Sequence, residues 1–192
     1  MKIVNHLEYY IGGLITSAIF IDDRKFNVSI SLYENLPFEG VTTLSTLGLN
    51  HYPTGKYHHE LIIVCNNNFN LSYIASYLTS FSEYLIDNNK SILKGEVFDF
   101  DFTITEETKM SSLFFTIPFY FDEDIQLLEY NNRTIIFPLL IPVYREESDF
   151  VKLHGYSVFE SFLEVNEINN LSDLKRENLI KRLNEYVTKN EM

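Results

Sequence analysis

The stretch ELIIVC (60–65) constrains this chain more than any other. A strand whose apolar and polar residues alternate can leave one face in water. A continuous apolar run rich in β-branched side chains reads instead as a central strand covered on both faces. LSYIASYLTSFSEYLIDNN (71–89) follows it, bringing Ile74, Tyr77, Leu78, Phe81 and Leu85 to one side at helical spacing, with Ser, Thr, Glu83 and Asp87 on the other. A buried strand followed by an amphipathic helix points to a layered fold.

Further strands are expected at FNVSISLYE (26–34), VTTLSTLGL (41–49), SSLFFTI (111–117) and EVFDFDFTIT (96–105). The last alternates Phe98, Phe100, Phe102 and Ile104 against Asp99, Asp101 and Thr103. The run at 134–144 holds Pro138 and Pro142, which cannot donate to a ladder, so it is expected at a sheet edge or a bulge. Toward the end of the chain, 148–155 reads as a short helix stopped by Gly155, and 157–165 as a helix opened by a capping box from Ser157 to Glu160. A last helix is expected to begin near Ser172 and to turn Leu179, Ile180, Leu183 and Val187 inward. With 192 residues, 45% of them hydrophobic, there is material for one good-sized core. Strands and helices are mixed without a strict βαβ rhythm, a repeat or a Gly, Pro or Ser linker. The expectation is an α+β fold, a mixed β-sheet with packed helices, as a single domain over residues 1–192.

Chemistry is tested first at HYPTGKYHHELIIVC (51–65), which holds three of the five histidines and the one cysteine. His59-Glu60 is not followed by the second histidine of a helical zinc motif, and His58 and His59 are adjacent, so in a strand they face opposite ways. Cys65 lies in an apolar strand with no basic neighbour in sequence, the setting of a packed thiol. The seven glycines form neither phosphate-binding nor dinucleotide fingerprint. Asp99 and Asp101 on one strand face would stand about 7 Å apart, a separation compatible with a glycosidase-type pair, but any exposed alternating strand produces the same spacing. A hydrolase using Asp99, Asp101 or the group His51, His58 and Glu60 is thus the competing enzymatic reading. The favoured one is a non-enzyme with no catalytic residue, no metal and no cofactor.

The formal charge of −12 argues against nucleic-acid binding, which relies on Lys and Arg. The charge is uneven: residues 95–144 carry nine acids and two bases, supplying −7 of the total. Asp99, Asp101, Glu106, Glu107, Asp122, Glu123 and Asp124 cluster there. They read either as a solvated surface that maintains solubility or as a docking face for a basic protein partner, whose encounter an opposed field accelerates. The absence of a secretory start and of a membrane-length apolar run makes the cytoplasm the expected location, with no membrane association.

The order of VTTLSTLGLNHYP, HHELIIVC, SSLFFTIPFYF and IIFPLLIPVYREESDFVKLHGYSVFESFL resembles the bacterial branch of the suppressor of fused domain family, from about residue 25 to residue 165. The matching features are Gly48-Leu49, Glu60-Leu61, the Phe-Phe-Thr-x-Pro of 114–118, Ile141-Pro142 with Glu146 or Glu147 behind, and Gly155. The resemblance implies an α/β/α-like sandwich around a mixed sheet, without catalytic residues. It also implies an immunity protein, similar to antitoxins of LXG-type toxins, that neutralises a cognate protein toxin, expected to be a basic nuclease domain. A regulatory module that sequesters another protein factor is the alternative. On this resemblance 51–65 is a loop entering a core strand, with Glu60 hydrogen-bonding locally.

Overall fold

Side-chain alternation along the strands builds two cores, one on each face of a sheet. The computed structural model describes residues 2–19 and 25–190. Its main sheet has seven strands in the order β1 (Ser17–Ile19), β2 (Ser29–Glu34), β3 (Val41–Leu47), β5 (Ile62–Asn66), β10 (Leu139–Val143), β7 (Ser112–Thr116) and β6 (Val97–Asp99). All neighbours are antiparallel except β5 and β10, which run parallel, so the sheet is mixed. A smaller sheet joins β4 (His58–His59), β9 (Arg133–Ile136) and β8 (Leu127–Tyr130). Since β4 runs into β5 and β9 into β10, it extends the parallel pair of the main sheet.

Ile62, Val64, Phe114, Leu139 and Ile141 face one core, closed by α1 (Lys2–Ile11), α3 (Arg145–His154), α4 (Tyr156–Val165) and α5 (Ile180–Asn190). Ile63, Cys65, Leu113, Phe115 and Leu140 face the other, covered by α2 (Leu71–Asp87) through Ile74, Tyr77, Leu78, Phe81 and Leu85. The product is an α/β/α sandwich of the α+β class, with ELIIVC at its centre as expected. Its α2 begins at an Asn70 cap, whose side chain accepts from the Ser72 N–H at 3.0 Å.

Four local expectations need correction. First, the proline-bearing β10 is central, between β5 and β7. Its paired register with β5 is confined to Leu139 and Ile62, so Pro142 interrupts no ladder on that side, and the Pro142 carbonyl accepts instead from the Arg176 guanidinium at 3.3 Å. Second, α5 begins at Ile180, not near Ser172, because Arg176 is drawn inward to Glu147 and Asn178 caps the Ile180 N–H at 2.9 Å. Third, α4 starts at Tyr156 directly after Gly155, whose φ of 86° lets the chain turn sharply out of α3, and Glu160 is no capping residue because it bonds to Thr116 and Lys94. Fourth, the strand expected over 96–105 ends at Asp99; Phe98 and Phe100 still pack on Phe81, but Asp101 lies beyond the ladder.

Candidate functional site

The histidine loop folds as scaffold. Glu60 is fully buried and accepts from the Thr46 hydroxyl (2.6 Å), the Gly48 and Asn50 backbone N–H groups (2.9 and 3.2 Å) and the Asn50 side-chain amide. Gly48 must be glycine for this approach: its φ is 107°, and a Cβ there would stand 2.8 Å from the Asn27 carbonyl. Burial pushes the Glu60 carboxyl up to about 7 despite these donors, because no cation offsets desolvation. His59 is also buried. Its Nδ1 lies 2.6 Å from the Thr54 hydroxyl, which itself donates to the Tyr57 carbonyl, and its Nε2 lies 3.2 Å from the Ile92 carbonyl and 3.3 Å from the Ile92 N–H. Burial keeps this ring neutral by pulling its pKa down to about 4, with both ring nitrogens engaged. His51 is exposed and His58 half-buried. Among the described residues no three His, Cys, Asp or Glu side chains are placed to hold a metal. Burial pushes the Cys65 thiol up to about 12, leaving it without the thiolate a nucleophile needs.

The seven acids divide between the two ends of β7. Asp99 pairs in register with Ser112 at the start of β7, whereas Asp122, Glu123 and Asp124 follow its last residue, Thr116, and lead into β8. At the first end Asp99 is enclosed by partners. Its carboxylate accepts from Ser112 Oγ (2.7 Å) and Ser148 Oγ (2.6 Å), and pairs with Arg145 (2.8 Å) and Lys152. Partial burial works against the charge, but the bonds from Lys152, Ser148 and Ser112 outweigh it and hold the carboxyl down at about 2. Glu107 pairs with Lys175 at 2.7 Å across exposed surface. Asp101 and Glu106 are exposed and have no ion pair among the described residues.

At the second end no Lys or Arg pairs with the acids among the described residues. The Asp122 side chain accepts from the Asp124 N–H (3.0 Å), capping the 3-10 turn Glu123–Gln126, while Glu123 and Asp124 project into solvent. Ile125 anchors this turn in the core beside α1, where its carbonyl lies 3.0 Å from His6 Nε2. None of the three carboxylates forms an ion pair among the described residues.

Counting acids along the chain missed the bases that fold back on them. Arg145, Lys152 and Lys175 neutralise one end of the acidic segment, and Arg176 is buried in a bidentate pair with Glu147 (2.8 and 2.6 Å). The same Glu147 carboxylate accepts from the Tyr144 and Leu179 N–H groups, tying the start of α3 to the approach to α5. The available signal was that residues 145–192 hold seven bases against two in 95–144. Which base meets which acid depends on tertiary structure.

The sequence profile described as suppressor of fused protein (SUFU) matches residues 24–177. The chain is similar to Immunity protein YqcF of Bacillus subtilis (strain 168), at 27% identity over 175 residues covering 88% of this chain and 91% of that protein. Among solved structures it is similar to a SUFU homolog from Neisseria gonorrhoeae FA 1090, with a TM-score of 0.72, 12% identity, and coverage of 92% of this chain and 94% of that one. A chain of the Sufu–Fu complex superposes with a TM-score of 0.74 at 11% identity, over 97% of this chain and 94% of that one. For Drosophila Suppressor of Fused the TM-score is 0.65 at 11% identity, over 85% of this chain but 45% of the other. At such identities the structural likeness establishes the shared fold.

Proposed function

The chain belongs to the suppressor of fused protein family, and from that premise we propose that it is an immunity protein, acting as one domain in the cytoplasm to bind a toxin and hold it inactive. The observation that carries this reading is its similarity to a Bacillus immunity protein along nearly the whole length of both chains. Inhibition of this kind requires a stable surface and no chemistry, which accords with a histidine loop whose buried groups are engaged in holding backbone.

The proposed toxin is a basic domain, a nuclease being the reading that the charge favours. A nuclease cleft must be cationic to grip phosphates, and an anionic surface can compete for it. Of the seven acids proposed for the contact, Asp101, Glu106, Glu123 and Asp124 hold no ion pair among the described residues, Asp122 also caps its turn, and Asp99 and Glu107 reach a partner only through the bases they already hold. The test is co-expression with the toxin encoded beside this gene. Survival that requires this chain supports the reading, and equal killing with and without it ends the reading.

A further inference from the structure

Between β7 and β8 the segment 117–127 interleaves exposed apolar side chains with unpaired acids. Ile117 is 40% exposed, Phe119 48% and Leu127 47%, and Leu93, across from them, is 46% exposed. Single exposed apolar residues are ordinary on a protein surface. These four are different in that they border two adjoining hollows. One, of about 360 Å³, is floored by Phe114, Ile141, Leu163 and Leu171 between the sheet and α4. The other, of about 420 Å³, is floored by Ile92, Phe137 and Pro138. Lys94, Thr116 and Ile117 line both and form the wall they share.

The balance of charge lining this double hollow is negative. Lys94 is the one base lining it, and it is taken by Glu160 at 2.9 Å, with Thr116 donating to the same carboxylate at 2.7 Å. Glu164 lines the first hollow without a basic partner among the described residues, and the exposed Glu123 and Asp124, outside the lining itself, directly precede Ile125, Gln126 and Leu127 along the chain, the last two of which line the second. A second copy of this chain would bring acid against acid. The complementary occupant is a basic amphipathic segment.

We propose that this double hollow seats the contact segment of the toxin: a stretch presenting two bulky apolar side chains, one per hollow, flanked by Lys or Arg that meet Glu164 on one side and Glu123 and Asp124 on the other. The inference rests on the immunity reading and sharpens it by placing the apolar anchors of the contact. Buried anchors in pockets govern dissociation, while rim charges govern encounter.

The experiment uses the full chain and the purified toxin domain encoded beside its gene. Binding kinetics are measured for the wild type, for Phe119→Ser with Leu127→Ser, and for Glu164→Lys, after thermal unfolding has confirmed that each variant folds. Hydrogen exchange is followed on the wild-type complex. The expected result is dissociation faster by at least about tenfold in the apolar double variant, slower association in Glu164→Lys, and new protection at 92–94, 116–119 and 126–127. If the wild type binds and both variants match it, with protection elsewhere, the hollow is not the seat and the immunity reading stands. If the wild type does not bind the toxin, both fall. Protection of the same residues in the chain alone as its concentration rises would make a second copy the occupant and overturn the proposal.

Discussion

The two ends of β7 carry similar numbers of carboxylates and use them differently. At the Ser112 end, Asp99 is surrounded by Arg145, Lys152, Ser112 and Ser148, and Glu107 by Lys175. At the Thr116 end, Asp122 caps a short turn and Glu123 and Asp124 project from it, none of them ion-paired among the described residues. Net charge counted along a chain therefore overstates the field available to a partner, since part of it is cancelled inside the fold. Glu147 and Glu60 extend the first class into the interior, one paired with Arg176 and the other held by neutral donors alone.

The contrast can be broken most forcefully at Arg176. Arg176→Met would leave the Glu147 carboxylate buried without its cation and should cost about 3–5 kcal/mol of stability, read by urea unfolding. A change within about 0.5 kcal/mol, the range of ordinary surface substitutions, would mean that the engaged acids do not hold the fold.

Next is Glu60, which has no base. With its folded pKa raised to about 7 from the ordinary 4.5 of a glutamate, the unfolded chain releases a proton that the folded chain keeps. Its contribution therefore weakens stability as pH rises from about 4.5 to 7, by something on the order of 2 kcal/mol. His59, lowered to about 4, acts with the opposite sign, weakening stability as pH falls from 6.5. The signature is thus the difference between wild-type and Glu60→Gln unfolding curves: the variant gains relative to the wild type as pH rises through that window, and a flat difference would contradict it.

Asp99→Asn should have a smaller effect, about 1–2 kcal/mol at neutral pH, because its basic partners are partly exposed. Asp99 is lowered to about 2, so its contribution is present above pH 4 and lost as pH falls toward 2. Chemical denaturation of the variant should show a weaker slope there. Smallest in stability terms is Glu123→Lys with Asp124→Lys, expected within about 0.5 kcal/mol in thermal unfolding. Asp122 is left in place because it caps the turn. A large loss of stability would show that these acids too are engaged in the fold.

What could be read along the chain was local. The continuous apolar run of β5 and the 3.6-residue pattern of α2 are set by neighbours in sequence, and both elements form where expected. The central place of β10 was hidden because Pro142 lies past the Leu139–Ile62 register on the β5 side, while β10 stays in register with β7 from Leu139 to Val143 and the Pro142 carbonyl is held by Arg176, 34 residues away. The late start of α5 has the same origin. At the candidate site the acidic residues were visible but their partition was not: Ser148 and Lys152 reach Asp99 across 49 and 53 residues. No periodicity announces such pairs.

The most direct measurement is the association rate of this chain with its toxin as a function of salt, for the wild type, Glu123→Lys with Asp124→Lys, and Asp101→Lys with Glu106→Lys. The account predicts that wild-type association slows as salt is added. It also predicts that reversal at 123 and 124 slows association at low salt and flattens that dependence, and that reversal at 101 and 106, at the end of β7 where Arg145, Lys152 and Lys175 lower the local negative charge through Asp99 and Glu107, does much less. A salt-independent wild-type rate, or equal slowing from both reversals, would contradict it.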